Sequence, residues 1–202
     1  KADLMTELNT LYYNSTSGTC YNSGGNASTT CNFTSTGLDS EARSMIENAI
    51  YYLGGYANSQ IYADDFYNYE RGTDLYDCSN SRWDNQCPRA TTWTGKIGIM
   101  YPSDYVYAVD LSLCTQDGYN YVNSTCKNNN WLFTGSEEWT IMPVSSSPTF
   151  VFAISSMGSL DISLDVLDGV WYARAIRPVV YLKSNIKITG GSGTSSDPYT
   201  LG

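Results

Sequence analysis

The sequence contains no histidine. That absence excludes Ser-His-Asp and Cys-His catalysis and every His-ligated metal site. Basic residues are few, 11 Lys and Arg against 20 Asp and Glu, which gives a formal net charge of -9. They are scattered, so they form no cationic face for a nucleic acid or an anionic membrane. No apolar run approaches the ~20 residues of a membrane-spanning helix, so direct insertion of this segment is not expected. No secretory leader opens the chain, which begins at Lys1 and reads as a mature or trimmed fragment.

What is present is a single domain's worth of sequence, 202 residues with 42% hydrophobic content, long enough to enclose a core and too apolar for disorder. Charge is sparse at 15%, and polarity comes from Asn, Ser, Thr, Gly and 18 Tyr. Tyrosine-rich surfaces supply large contact areas at low entropy cost. The 6 cysteines fall into three sequence-local couples inside Gly/Asn/Ser/Thr-rich loops. Pairing of neighbours is expected: Cys20–Cys31, Cys78–Cys87 and Cys114–Cys126. Each bridge of this kind contributes roughly 2–4 kcal/mol in the chain-entropy model and implies an oxidising, extracellular compartment. A zinc reading lacks both a C-x2-C knuckle and a histidine. Sequons at Asn14, Asn26, Asn32 and Asn123 fit exposed loops.

Along the chain, Leu4, Leu8 and Leu11 share one face of a helix over residues 2–12. Residues 14–37 read as a polar loop. Ala42, Met45, Ile46, Ala49, Ile50 and Leu53 repeat at helical spacing, which predicts a helix capped by Asp39 or Ser40 and ended at Gly54. A third helix is expected from Asp64 to Arg71. After the loop 72–95, Lys96 to Met100 reads as a buried strand, followed by a Pro102-Ser103-Asp104 turn and a short helix from Tyr105 to Ala108. The loop 110–130 holds the last cysteine couple. Strands are then expected at Trp139–Met142, Thr149–Ile154, Ser159–Val166 and Ile176–Leu182, with turns at Gly158 and Asp168-Gly169. Ile186 to Ile188 is a candidate last strand before a polar tail. Helices first and short antiparallel strands later predict an α+β fold in one domain, 1–202, helical over about 1–95 and mainly strand over about 96–202.

Several motifs carry a resemblance. They are Gly98-Ile99-Met100-Tyr101-Pro102-Ser103-Asp104-Tyr105, Trp131-Leu132, Trp139-Thr140, and Ile176-Arg177-Pro178-Val179-Val180-Tyr181-Leu182-Lys183. Over nearly its whole length the chain resembles surface-exported proteins of gut bacteria of Firmicutes type. Its residues 96–183 are similar to C-type-lectin-like domains, in the version found in phage tropism determinants and formylglycine-generating enzymes. The resemblance implies a C-type-lectin-like fold with long disulfide-stapled loops. It also implies an upstream strand, missing from this chain, as partner for the Arg177–Leu182 strand. Calcium-dependent lectins carry Glu-Pro-Asn or Gln-Pro-Asp and a Trp-Asn-Asp motif. None occurs here, so calcium-dependent sugar binding is not implied. No cysteine lies near the C-terminus to serve as the reactive pair of a formylglycine-generating enzyme.

Diversified receptors of this fold display ligand-facing residues on the hairpin region that corresponds here to 144–174. The candidates are Ser147, Thr149, Ser155, Met157, Asp161, Ser163, Asp165, Leu167, Trp171, Tyr172 and Arg174, with Asp168 beside them. Strand alternation places Phe150 and Phe152 on one face and Thr149, Val151 and Ala153 on the other. Trp, Tyr and Arg are the residue types that most often anchor interfaces. The bland alternative is an ordinary half-exposed hairpin. The run Tyr51, Tyr52, Tyr56, Tyr62, Tyr67, Tyr69 reads first as packing between two helices and second as a sugar-stacking platform. Ser103 and Asp104 read first as a helix N-cap. Glu137 and Glu138 are adjacent on a strand and so point to opposite faces, which argues against a glycosidase pair. Asp161, Asp165 and Asp168 lack the spacing of a calcium loop. The leading expectation is a non-catalytic ligand-binding or adhesion domain, displayed on a bacterial surface, needing no cofactor or metal. Its expected partner is a protein or glycan on another cell or host surface. A structural pilin-like subunit is the alternative, and a divergent formylglycine-generating-type enzyme the third reading.

Overall fold

The computed structural model describes residues 2–21, 27–53, 63–70, 92–115, 117–143, 151–163, 174–194 and 196–202. The first helix, α1 (Ala2–Glu7), runs on into a π-helical turn at Leu8–Tyr12. Its Leu stripe faces inward as the spacing predicts, with Leu8 buried and Leu4 packed against the same core. Asn9 fixes this helix to the centre of the chain. Its amide donates to the carbonyls of Met5 and Ile97, both at 2.8 Å. Its Oδ1 accepts the N–H groups of Lys96 and Ile97 at 2.8 and 3.0 Å.

The expected polar loop 14–37 instead contains a hairpin, β1 (Ser17–Tyr21) with β2 (Ala27–Asn32). The Cys20–Cys31 bridge crosses it. Helix α2 (Ser40–Met45) begins where expected, because the Asp39 carboxylate accepts the Ala42 N–H at 2.7 Å. It does not reach Leu53. Ile46 is already extended, and residues Ala49–Tyr52 form β3, paired with β4 (Thr92–Gly95). The helical spacing predicts Ile50 buried, yet it is 54% exposed and Tyr51 is fully buried instead. The β-favouring Ile-Tyr-Tyr triplet has a partner strand, and that pairing outweighs the periodicity. The N-terminal half is therefore mixed helix and strand, not helical.

Helix α3 (Ala63–Glu70) stands where a helix is expected. Next come β5 (Gly98–Ile99) and α4 (Pro102–Tyr107). The Pro102-Ser103-Asp104 segment is the first turn of α4, not a separate turn. Proline opens it, where a missing N–H costs nothing. Asp104 is not the cap but reaches back to accept the Tyr101 N–H at 3.0 Å. The third cysteine loop contains a 3-10 turn at Gly118–Asn120 and α5 (Ser124–Asn128), joined by Cys114–Cys126. The 78–87 couple lies outside the described residues.

The main sheet has three antiparallel strands in sequence order, β6 (Glu138–Pro143), β7 (Val151–Ile154) and β8 (Leu160–Ser163). Gly158 turns the chain between β7 and β8 at φ +96°, a conformation suited to glycine. The inward–outward alternation expected along β7 is absent: Phe152, Ala153 and Ile154 are all buried. As the middle strand, β7 is covered on both faces. The short β9 (Pro178–Val179) pairs with β5. The chain beyond β9 lies along residues 45–47, through Glu47 N–H to Tyr181 O and Lys183 N–H to Met45 O. A terminal hairpin, β10 (Ile188–Gly190) with β11 (Thr200–Leu201), closes the chain.

Two apolar cores share a wall. Ile99, Tyr101 and Ile141 face one core with Met5, Leu8 and Tyr51. Met100 and Met142 face the other with Phe66, Tyr105, Tyr121, Phe152 and the Cys114–Cys126 bridge. Successive residues of an extended segment point to opposite sides, so residues 99–101 and 141–142 partition the interior. The chain is thus a mixed α/β protein with small antiparallel sheets and two disulfides among the described residues.

Candidate functional site

An open groove of about 710 Å³ lies where α3, α4, the segment after α5 and β9 meet. Met100, Ala108 and Leu132 are its buried apolar lining, and Pro178 and Val179 line it from β9. Three aromatic side chains line it while remaining exposed: Tyr67 from α3, Tyr107 from α4, and Trp131. Tyr67 and Tyr107 meet edge to face, with ring centroids 6.4 Å apart. Trp131 is 79% exposed, an unusual state for the largest side chain.

The backbone beneath these rings is tightly held. The Trp131 N–H donates to Ala108 O at 3.1 Å. On either side, buried Asn130 donates to Tyr105 O at 2.9 Å and accepts the Leu132 N–H at 2.9 Å. Helices α3 and α4 are locked together by Glu70, which is 1% exposed. Its carboxylate accepts the Ser103 backbone N–H at 2.8 Å and the Ser103 hydroxyl. Ser103 therefore acts as a tie between helices, its hydroxyl committed to a carboxylate. Beneath the groove, Tyr105 donates to Gly158 O at 2.7 Å. Burial, with Tyr121 and Glu138 nearby, holds its hydroxyl far above the ordinary tyrosine range.

Two charged residues line the groove among the described residues, Asp104 and Arg177. Arg177 donates to Leu132 O at 2.9 Å and to Glu138 Oε1 at 2.8 Å. Glu138 is buried and also accepts from Thr134 Oγ1 at 2.9 Å. Its neighbour Glu137 takes the Arg174 Nε at 3.0 Å, and the Arg174 guanidinium sits 4.5 Å above the Trp139 ring. Each adjacent glutamate thus belongs to a separate ion pair.

The hairpin candidates are brought together in part. Glu138 pairs with Ala175 on one side and Ile154 on the other, and Ile154 pairs with Leu160. That rung places Arg174, Ser155, Met157 and Asp161 at one end of the sheet. Met157 is 63% exposed at the turn, and Asp161 is exposed on β8. The Ser155 hydroxyl accepts the N–H groups of Met157 and Ser159, both at 3.2 Å, and bonds the Ser159 hydroxyl at 2.7 Å, so it shapes the turn. Ser163 lies at the other end of β8, opposite Val151. Ser147, Thr149, Asp165, Leu167, Asp168, Trp171 and Tyr172 lie outside the described residues, as does Phe150. Of the tyrosine run, Tyr51 and Tyr52 belong to β3 and not to a helix. Tyr51 is buried against Trp93 and Tyr181, while Tyr67 lines the groove.

Sequence reasoning passed over Tyr107 and Trp131 as site residues. A signal for Trp131 was present: it directly follows the polar run Asn128-Asn129-Asn130, just beyond the Cys114–Cys126 loop. Among the described residues, no group of three or more Cys, Asp or Glu is placed to hold a metal ion, and no helix is long and apolar enough to cross a membrane. All four described cysteines are in disulfides. No family model, curated protein or solved structure matches the chain.

Proposed function

We propose that this chain is a non-catalytic ligand-binding or adhesion domain of an extracellular bacterial surface, with its strand-rich half arranged in C-type-lectin-like fashion. The groove ringed by Tyr67, Tyr107 and Trp131 carries the reading. A soluble chain gains nothing in its own stability from a 79% exposed tryptophan, whereas exposed Trp and Tyr on a rigid frame are what a partner's surface buries as anchors. The binding surface extends from the groove across the Arg177–Glu138 pair to the sheet end that holds Arg174, Met157 and Asp161. Met157, Asp161 and Arg174 are the described residues of the 144–174 stretch on this surface, and that stretch is proposed as the diversified one. The disulfides favour an oxidising, extracellular setting, and the partner is a protein or glycan on another cell or host surface.

The test is saturable binding of the labelled chain to intact epithelial and bacterial cells, read by flow cytometry. Saturable binding is expected, reduced severalfold by Trp131→Ala and more weakly by Met157→Ala. Absence of saturable binding, or binding that neither substitution changes, would overturn the reading.

A further inference from the structure

We infer that the groove takes a neutral oligosaccharide, its sugar rings stacked on Trp131, Tyr107 and Tyr67. This rests on the reading of the chain as a ligand-binding domain and names the chemistry of its ligand. The three rings come from separate elements whose backbones are fixed by Asn130, by the Ala108–Trp131 hydrogen bond and by the Glu70–Ser103 tie. The platform is therefore formed before the ligand arrives, and binding need not order the backbone that carries it.

The division of polarity matches a sugar. A saccharide ring has apolar C–H faces and a hydroxyl rim. The groove offers aromatic rings and an apolar floor, with Asp104 and Arg177 supplying the charged lining. The groove is open, so its aromatics offer faces for flat rings more than a closed socket for a single protein side chain.

Charge narrows the class further. Arg177 is already paired with buried Glu138, and Asp104 already accepts the Tyr101 N–H. One carboxylate and one compensated guanidinium among the described lining residues leave no cation for a uronate, sialate or sulfate. The chain's net charge of -9 also repels such ligands. A neutral ligand remains.

The probes are cellohexaose, mannohexaose and the hexamer of N-acetylglucosamine, titrated into the full chain by tryptophan fluorescence and calorimetry. Heparin and a proline-rich decapeptide serve as rivals. At least one neutral hexasaccharide is expected to bind. Trp131→Ala and Tyr107→Ala should each weaken it about tenfold or more, with circular dichroism unchanged because both side chains are exposed. No binding by any hexasaccharide overturns the inference, as does saccharide binding indifferent to both substitutions. Trp131-dependent binding of heparin or the peptide in place of sugars overturns it too. If cell adhesion that depends on Trp131 persists without saccharide binding, the ligand class falls and the wider reading stands. If adhesion itself is missing, the wider reading falls.

Discussion

Raising the pH above 10 should unfold this protein through its tyrosines. Tyr51, Tyr105 and Tyr121 are fully buried. Burial pushes Tyr51 and Tyr121 up to about 12, aided by Tyr181 for the first and Asp117 for the second, and pushes Tyr105 higher still. Below pH 10 these hydroxyls are protonated in both states, and the stability tied to them is fully present. Between about pH 10 and 12 the unfolded chain loses those protons while the native chain keeps them. Stability then falls by about 1.4 kcal/mol per pH unit for each tyrosine. Over two units, Tyr51 and Tyr121 alone remove roughly 5 kcal/mol, comparable to the ~5–15 kcal/mol of a whole domain, and Tyr105 adds to it. The assay follows phenolate absorbance and near-ultraviolet circular dichroism together from pH 8 to 13. A late, cooperative second step in phenolate absorbance, above pH 10, should coincide with loss of tertiary signal. Tyr121→Phe gives up its hydrogen bond to Val106 O but removes one ionisation, so the second step should broaden and move up in pH. Ionisation of Tyr51, Tyr105 and Tyr121 near pH 10 with the fold intact would refute the reasoning.

Two further perturbations probe the frame under the groove. Glu138→Ala leaves Arg177 without its carboxylate and should cost about 2–3 kcal/mol in urea unfolding. Adding Arg177→Met should recover part of that loss, and strictly additive effects would show that the pair is not coupled. Asn9→Ala removes an amide engaged with Met5, Lys96 and Ile97. It should cost about 2–4 kcal/mol and speed hydrogen exchange at the Lys96 and Ile97 amides. A loss below about 0.5 kcal/mol would mean that water replaces the clamp.

What was legible in the chain follows from the range of the interactions that decide each element. The Asp39 cap, the Gly158 turn and the Cys20–Cys31 and Cys114–Cys126 bridges are set by neighbours within about a dozen positions, and sequence reasoning reached all of them. The stretch 42–53 departs from its helical spacing because its outcome depends on a strand at residues 92–95, whose paired residues lie forty or more positions away. Once that partner is present, pairing turns Tyr51 inward and Ile50 outward, and the helical period loses its meaning. The β1–β2 hairpin was hidden by composition, since Ser, Thr and Gly read as loop until a disulfide holds two such segments side by side. The groove lies at the far end of this scale. Tyr67, Tyr107, Trp131 and Arg177 span more than a hundred positions, and each alone reads as an ordinary surface ring or a strand arginine. They become a site only because Asn130 and Glu70, two buried polar residues, fix where their elements meet. Buried polar groups are costly unless fully hydrogen-bonded. A buried Glu that accepts both the Ser103 N–H and its hydroxyl, and a buried Asn bonded to the backbone of Tyr105 and Leu132, are therefore the physical reason that the groove's walls are held in one arrangement.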